Sequence, residues 1–142
     1  MRYNIKTHKE KPIDASAIKI IYDSEKWWPE RNIDDINRML VKNNDCVYGL
    51  WDNNNLIGFC RFVSDNFFRG YIEDFIIIKE YRSKGIGKYF LTNILEFNKN
   101  IHIISLFCNE KLNNFYKSIG FKCYDKQKVF HIESIKKDSN GL

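Results

Sequence analysis

Tyr81-Arg82-Ser83-Lys84-Gly85-Ile86-Gly87-Lys88 separates two apolar segments, and its reading decides the fold. Before it, the hydrophobic run 71–78 predicts a strand. After it, Tyr89-Phe90-Leu91-Thr92-Asn93-Ile94-Leu95-Glu96 predicts a helix. A strand, a glycine-containing turn and a helix N-terminus together form an anion site. The first N–H groups of a helix have no internal acceptor, and the aligned peptide dipoles put partial positive charge there. Glycine lets a phosphate approach the backbone closely. Arg82, Lys84 and Lys88 add full positive charges. The physical inference is a cradle for a pyrophosphate.

Three phosphate-binding patterns compete for this stretch. A P-loop needs glycine where Arg82 stands and Ser or Thr where Tyr89 stands. The dinucleotide fingerprint needs a third glycine where Phe90 stands. Both fail, leaving Arg82-x-x-Gly85-x-Gly87 between a strand and a helix. This resembles the coenzyme A pyrophosphate loop of the GNAT (Gcn5-related N-acetyltransferase) family, whose pattern is Gln/Arg-x-x-Gly-x-Gly/Ala. A second segment agrees. After the buried-strand pattern 101–108, Asn109, Tyr116, Gly120 and Phe121 stand in register with the family's Asn-x(6)-Tyr-x-x-x-Gly-Phe signature. Gly120 suits the left-handed residue that ends a helix. The resemblance covers roughly residues 56–124.

Composition bounds the rest. A chain of 142 residues with 44% hydrophobic content fits one domain, 1–142, with a buried core. No apolar run reaches the ~18–20 residues of a membrane span, and residues 1–6 lack the apolar stretch of a signal peptide. The expectation is a cytoplasmic protein that does not act on membranes. Cys46, Cys60, Cys108 and Cys123 form no Cys-x-x-Cys pair, and His8, His102 and His131 are scattered, so no metal site is expected. The cysteines read as small hydrophobes in a reducing compartment. A net charge of +5 suits an anionic cofactor, and no nucleic-acid motif accompanies it.

The coarse pass predicts an edge strand at 2–8 and a helix at 14–23 capped by Asp14. An aromatic loop follows at Trp27-Trp28-Pro29, then a second helix at 33–42 with Asn32 as cap. Strands at 45–51 and 56–63 join across Asp52-Asn53-Asn54-Asn55, where asparagine tolerates left-handed geometry. Then come the strand 71–78, a helix at 85–98, a strand at 101–108, a short helix at 111–118, and strands at 121–124 and 128–134. The order βααβββαβαββ describes an α/β (α+β) fold with a mixed, mostly antiparallel sheet flanked by helices. It is also the order that the GNAT resemblance implies.

The resemblance implies an N-acetyltransferase that moves an acetyl group from acetyl-CoA to a primary amine by direct attack on the thioester. Pantetheine would run beside Phe75, Ile76 and Ile77, with the Ile77 N–H aimed at the thioester oxygen. The N–H groups of Lys84, Gly85, Ile86, Gly87 and Lys88 would hold the pyrophosphate, with Arg82 and Ser83 of the same loop also cofactor-binding. Tyr116 would protonate the departing thiolate, a role suited to a phenol with an ordinary pKa of about 10. It also reads as an aromatic anchor. Asn109 would bind pantetheine or cap the following helix.

The acceptor ammonium must lose a proton. Glu73 and Asp74 are the candidate carboxylates, and strand alternation turns them to opposite faces unless a bulge intervenes. Parity puts Glu73 with Phe75 and Ile77, making it the candidate base and leaving Asp74 at the acceptor. Trp27 and Trp28 would form an aromatic wall, or pack under their loop. The acceptor would be a small-molecule or peptide amine, and both monomer and homodimer remain open. A non-catalytic acyl-CoA sensor or interaction module on the same fold is the alternative function.

Overall fold

The computed structural model describes residues 2–133. Five strands form one sheet in the order β1-β2-β3-β4-β5: β1 Tyr3–Thr7, β2 Val47–Asp52, β3 Asn55–Ser64, β4 Arg69–Ile77 and β5 Ile103–Leu106. Each of the first four runs antiparallel to its neighbours among them, and β5 runs parallel to β4. The helices are α1 Ala15–Ser24, α2 Ile33–Lys42, α3 Ile86–Phe97 and α4 Asn113–Lys117. The mixed, mostly antiparallel sheet expected from sequence is therefore present.

Local chemistry explains the element ends. Asp14 caps α1 by accepting from the Ser16 N–H, and Asn32 caps α2 by accepting from the Asp35 N–H. The β2–β3 hairpin turns through Asn53, whose φ of 55° is the left-handed geometry that asparagine tolerates. At the end of α1, Lys26 takes a φ of 58°. The Trp27 and Lys26 N–H groups then reach back to the Tyr22 and Asp23 carbonyls, a Schellman closure without the usual glycine. The same closure ends α4, where Gly120 at φ 112° does use glycine and Phe121 N–H bonds to Tyr116 O.

Each sheet face carries its own core. On one side α3 sets Ile86, Phe90, Leu91 and Ile94 against Leu50, Cys60, Phe62, Ile72 and Ile77. On the other, α1 and α2 set Ile18, Tyr22, Ile36 and Leu40 against Val47, Phe59 and Ile76. Phe90 is fully buried, and its truncation to alanine would cost about 3–5 kcal/mol.

Two expected strands are absent among the described residues. Residues 121–124 and 128–133 have no ladder partner, and residue 134 lies outside the described residues. Phe121 is drawn into the α4 closure and packs edge-on against Tyr116 at 5.9 Å. Beyond a turn at Tyr124–Gln127, Phe130 and Ile132 are 90% and 97% exposed. Alternation shows which residues would share a face. It supplies no neighbour for that face to bury against. The segment 101–108 is likewise trimmed to β5, because its ladder with β4 begins at Arg69↔Ile103 and ends at Ile72↔Leu106.

Candidate active site

The loop between β4 and α3 has the expected order of strand, glycine-containing turn and helix. After β4, a single 3₁₀ turn at Lys79–Tyr81 leads into Arg82, and the chain reverses through Ser83 at φ 59° and Gly85 at φ 75°. Gly85 is the N-cap of α3 and offers no side chain to the free N–H groups. The Tyr89 N–H bonds to Gly85 O, so the N–H groups of Ile86, Gly87 and Lys88 precede the first helical bond. The first turn of α3 contains no acidic residue. A Cβ on Gly87 would lie 3.5 Å from Phe115 and 3.7 Å from Ile77, so this helix end borders both β4 and α4.

The three cations differ in use. Arg82 turns inward. Its Nε donates to Ile77 O at 2.6 Å, and its Nη2 pairs with Glu25 Oε1 at 2.6 Å. Lys84 Nζ donates to Glu80 O at 2.8 Å. Lys88 stays exposed and makes no ion pair among the described residues. The positive field at the loop therefore comes from the helix end, Lys84 and Lys88, while Arg82 ties the loop to the end of β4.

Beside the loop the sheet opens. The β4–β5 ladder stops at Ile72↔Leu106 although β4 continues to Ile77. Ile78 N–H bonds to Ile57 O on the β3 side. By strand alternation the N–H groups of Phe75 and Ile77 point the other way, toward the opening. Ile76 packs on the α1–α2 face. The Phe75 ring stacks on Phe90 at 5.5 Å and Phe115 at 6.3 Å. Tyr116, 8% exposed, is braced by Phe115 and Phe121. Burial pushes its phenol up to about 12, with smaller contributions from Cys108 and Cys60. Asn109 accepts from the Lys111 N–H at 3.0 Å, so its side-chain oxygen caps the turn that follows.

The carboxylates correct the parity expectation. Between the pairs Cys60↔Phe75 and Phe62↔Ile72, β3 advances two residues and β4 three. That extra residue is a bulge. It brings Glu73 and Asp74 to the same guanidinium: Arg61 Nη2 lies 3.3 Å from Glu73 Oε1, and Arg61 Nε lies 3.2 Å from Asp74 Oδ2. Glu73 thus does not share the face of Phe75 and Ile77, which pack with α3. It stays partly accessible, its side chain 24% exposed. Asp74, 2% exposed, also accepts from Tyr22 Oη at 2.9 Å, Trp28 Nε1 at 3.3 Å and Arg31 Nη1 at 3.3 Å. Expected at the acceptor, Asp74 instead has both oxygens engaged by the protein.

Trp27 packs at the edge of the α1–α2 core, while Trp28 remains 41% exposed. Tyr71, pushed up to about 12 by burial and by Glu73, lines an open groove of about 280 Å³ with Val63, Arg69 and Ser105. The sequence reading did not single out Arg61, Arg31 or Glu25. Arg61 carried a signal: an arginine within the apolar run Ile57-Gly58-Phe59-Cys60-Arg61-Phe62 requires an acidic partner once the strand is buried.

A strand-end loop with an uncapped helix thus lies beside a splayed parallel pair. The profile of the acetyltransferase (GNAT) family matches residues 15–121, and the chain belongs to that family. It is similar to the "uncharacterized N-acetyltransferase ycf52" of Gracilaria tenuistipitata var. liui. The two are 37% identical over 68 residues, 46% of this chain and 37% of that relative, so the chain spans well under two thirds of its length. Among solved structures, a GNAT family acetyltransferase of Streptococcus pneumoniae TIGR4 superposes with a TM-score of 0.71 at 24% identity. The match covers 92% of this chain and 98% of that one. A predicted acetyltransferase from Clostridium acetobutylicum, determined with acetyl-CoA, gives a TM-score of 0.68 at 20% identity, covering 91% and 94%. These two show a shared fold. No helix among the described residues is long and apolar enough to cross a membrane.

Proposed function

We propose that this chain transfers an acetyl group from acetyl-CoA to a primary amine. The observation that carries the reading is two sets of backbone N–H donors with no acceptor among the described residues. Those of Ile86, Gly87 and Lys88 stand at the start of α3, and those of Phe75 and Ile77 face the opening of the sheet. The first set suits a diphosphate. The second suits an extended chain of amides ending in a polarised carbonyl. Coenzyme A presents both, and its acetyl thioester supplies the activated acyl group.

The protein's own residues then divide the work. Ile77 N–H stabilises negative charge that develops on the carbonyl oxygen. Arg82, bonded to Ile77 O, keeps this peptide unit in place. Glu73 receives the proton that an ammonium acceptor must lose, directly or through water. Tyr116 keeps its proton throughout the neutral range because burial raises its pKa, and it gives that proton to the departing thiolate. Position and electrostatics are supplied by backbone, and the proton path by two side chains.

The acceptor comes from the side of the sheet where Glu73 adjoins Tyr71, which lines the groove with Val63. The test is thiol release from acetyl-CoA against a panel of primary amines and peptides. Release that depends on one amine class supports the reading. Acetyl-CoA binding with no release from any amine would replace it with a binding module.

A further inference from the structure

We infer that Asp74 is a positioning residue that clamps the α1–α2 loop over the Glu73 side of the sheet and thereby sets one wall of the acceptor site. Its effect on an acceptor rests on the transferase reading above. Four protein donors converge on this carboxylate: Tyr22 from α1, Trp28 and Arg31 from the loop, and Arg61 from β3. With Asp74 only 2% exposed, the carboxylate is closed to a substrate amine. The buried carboxylate is spent on holding other groups.

What it holds is the loop. Arg31 lies 4.3 Å over the Trp28 ring and 5.5 Å over the Tyr22 ring while donating to Asp74. Trp28 adopts a φ of 49°, a left-handed geometry that disfavours a bulky residue and persists only where surrounding contacts enforce it. The indole N–H to Asp74 Oδ1 is such a contact. Further ties are the Trp27 N–H bond to Tyr22 O and the pairing of Glu25, at the start of the loop, with Arg82. Arg61 joins the clamp to the candidate base, since its Nε serves Asp74 and its Nη2 serves Glu73. A loop released from Asp74 would lose the exposed Trp28 wall, and loss of the Asp74 charge itself would also free Arg61 to reorient beside Glu73.

The test uses the full chain with Asp74→Asn and Trp28→Phe. The second variant keeps an aromatic ring for Arg31 and removes only the indole donor. Amide exchange over residues 26–31 is expected to rise about tenfold or more in both, while exchange at residues 86–89 stays unchanged. Acetyl-CoA affinity should stay within about twofold, and acceptor KM should rise about fivefold, more than kcat falls. If Asp74→Asn does not fold, Trp28→Phe decides alone. Unchanged loop exchange in the folded variants overturns the clamp. Raised exchange with unchanged acceptor KM overturns the acceptor-wall role. Wild-type protein that binds no acetyl-CoA overturns the transferase reading and that role with it, while the exchange arm still decides the clamp.

Discussion

Arg82 Nε donates to the Ile77 carbonyl across 2.6 Å, so the arginine of the anion loop holds the last residue of β4. The same guanidinium reaches Glu25 at the end of α1. One side chain therefore joins the anion loop, the strand edge that faces the opening, and the α1–α2 loop. In this structure the arginine of the Arg-x-x-Gly-x-Gly pattern acts as a brace, and under the proposed function the N–H groups behind it are the ones that would receive the pyrophosphate.

Removing that brace should cost stability and affinity together. Arg82→Ala leaves Ile77 O and Glu25 without their donor, an expected loss of about 1–3 kcal/mol. Urea denaturation should show a lower midpoint, and titration should show weaker acetyl-CoA binding. A variant with wild-type stability and affinity would contradict the brace.

Gly87→Glu separates folding from binding. A Cβ there meets Phe115 and Ile77 at ordinary contact distances, and a carboxylate in the first turn of a helix stabilises it by about 0.3–1 kcal/mol. The variant should fold at least as well as the wild type. Its acetyl-CoA affinity should fall on the order of a hundredfold, because the new charge repels a diphosphate and competes for the same N–H groups. Gly85→Pro should fail in both respects, since proline cannot adopt the φ of 75° found there.

Tyr116→Phe removes one hydroxyl from a packed aromatic cluster. Turnover should fall about 10²–10⁴-fold with acetyl-CoA affinity intact. Stability gives an independent check. Folding raises the phenol from 10.0 to about 12, so above pH 10 the unfolded chain binds fewer protons than the folded one. The stabilisation is fully present below that value and is lost as pH climbs toward 12. The phenylalanine variant should show a shallower alkaline decline, and identical declines would argue against a buried phenol.

Asp52 supports the loop from behind. Arg2 donates to both of its oxygens, and Tyr81 Oη, just before Arg82, lies 2.8 Å from Oδ2. The Arg2 bonds, then the Tyr81 bond, hold its carboxyl below the ordinary 3.8. That stability is present above 3.8 and is lost as pH falls through the lower folded value. Asp52→Asn should be less stable than wild type at neutral pH, with the difference closing in acid. A constant difference across the acid range would count against this account.

Much of the frame was legible because its signals are local. Asp14 and Asn32 cap the helices they were expected to cap, Asn53 turns the hairpin, and Gly120 takes the positive φ expected of a residue that ends a helix. The bulge was not legible, since Glu73 and Asp74 are adjacent acids and an inserted residue leaves no trace in a polar pair. Its effect is to reverse the parity assigned to Glu73 and to bury Asp74. Arg82 read as a charge for phosphate, and only the tertiary fold shows the Ile77 carbonyl and Glu25 that claim it. The strand expected at 128–134 has no ladder partner over its described part, residues 128–133.

Calorimetric titration of the wild type and Gly87→Glu with acetyl-CoA tests the central claim most directly. The account predicts saturable, stoichiometric binding to the wild type and a large loss in the folded variant. Equal binding by both, or none by a folded wild type, would contradict the assignment of the Gly85–Lys88 backbone as the pyrophosphate site.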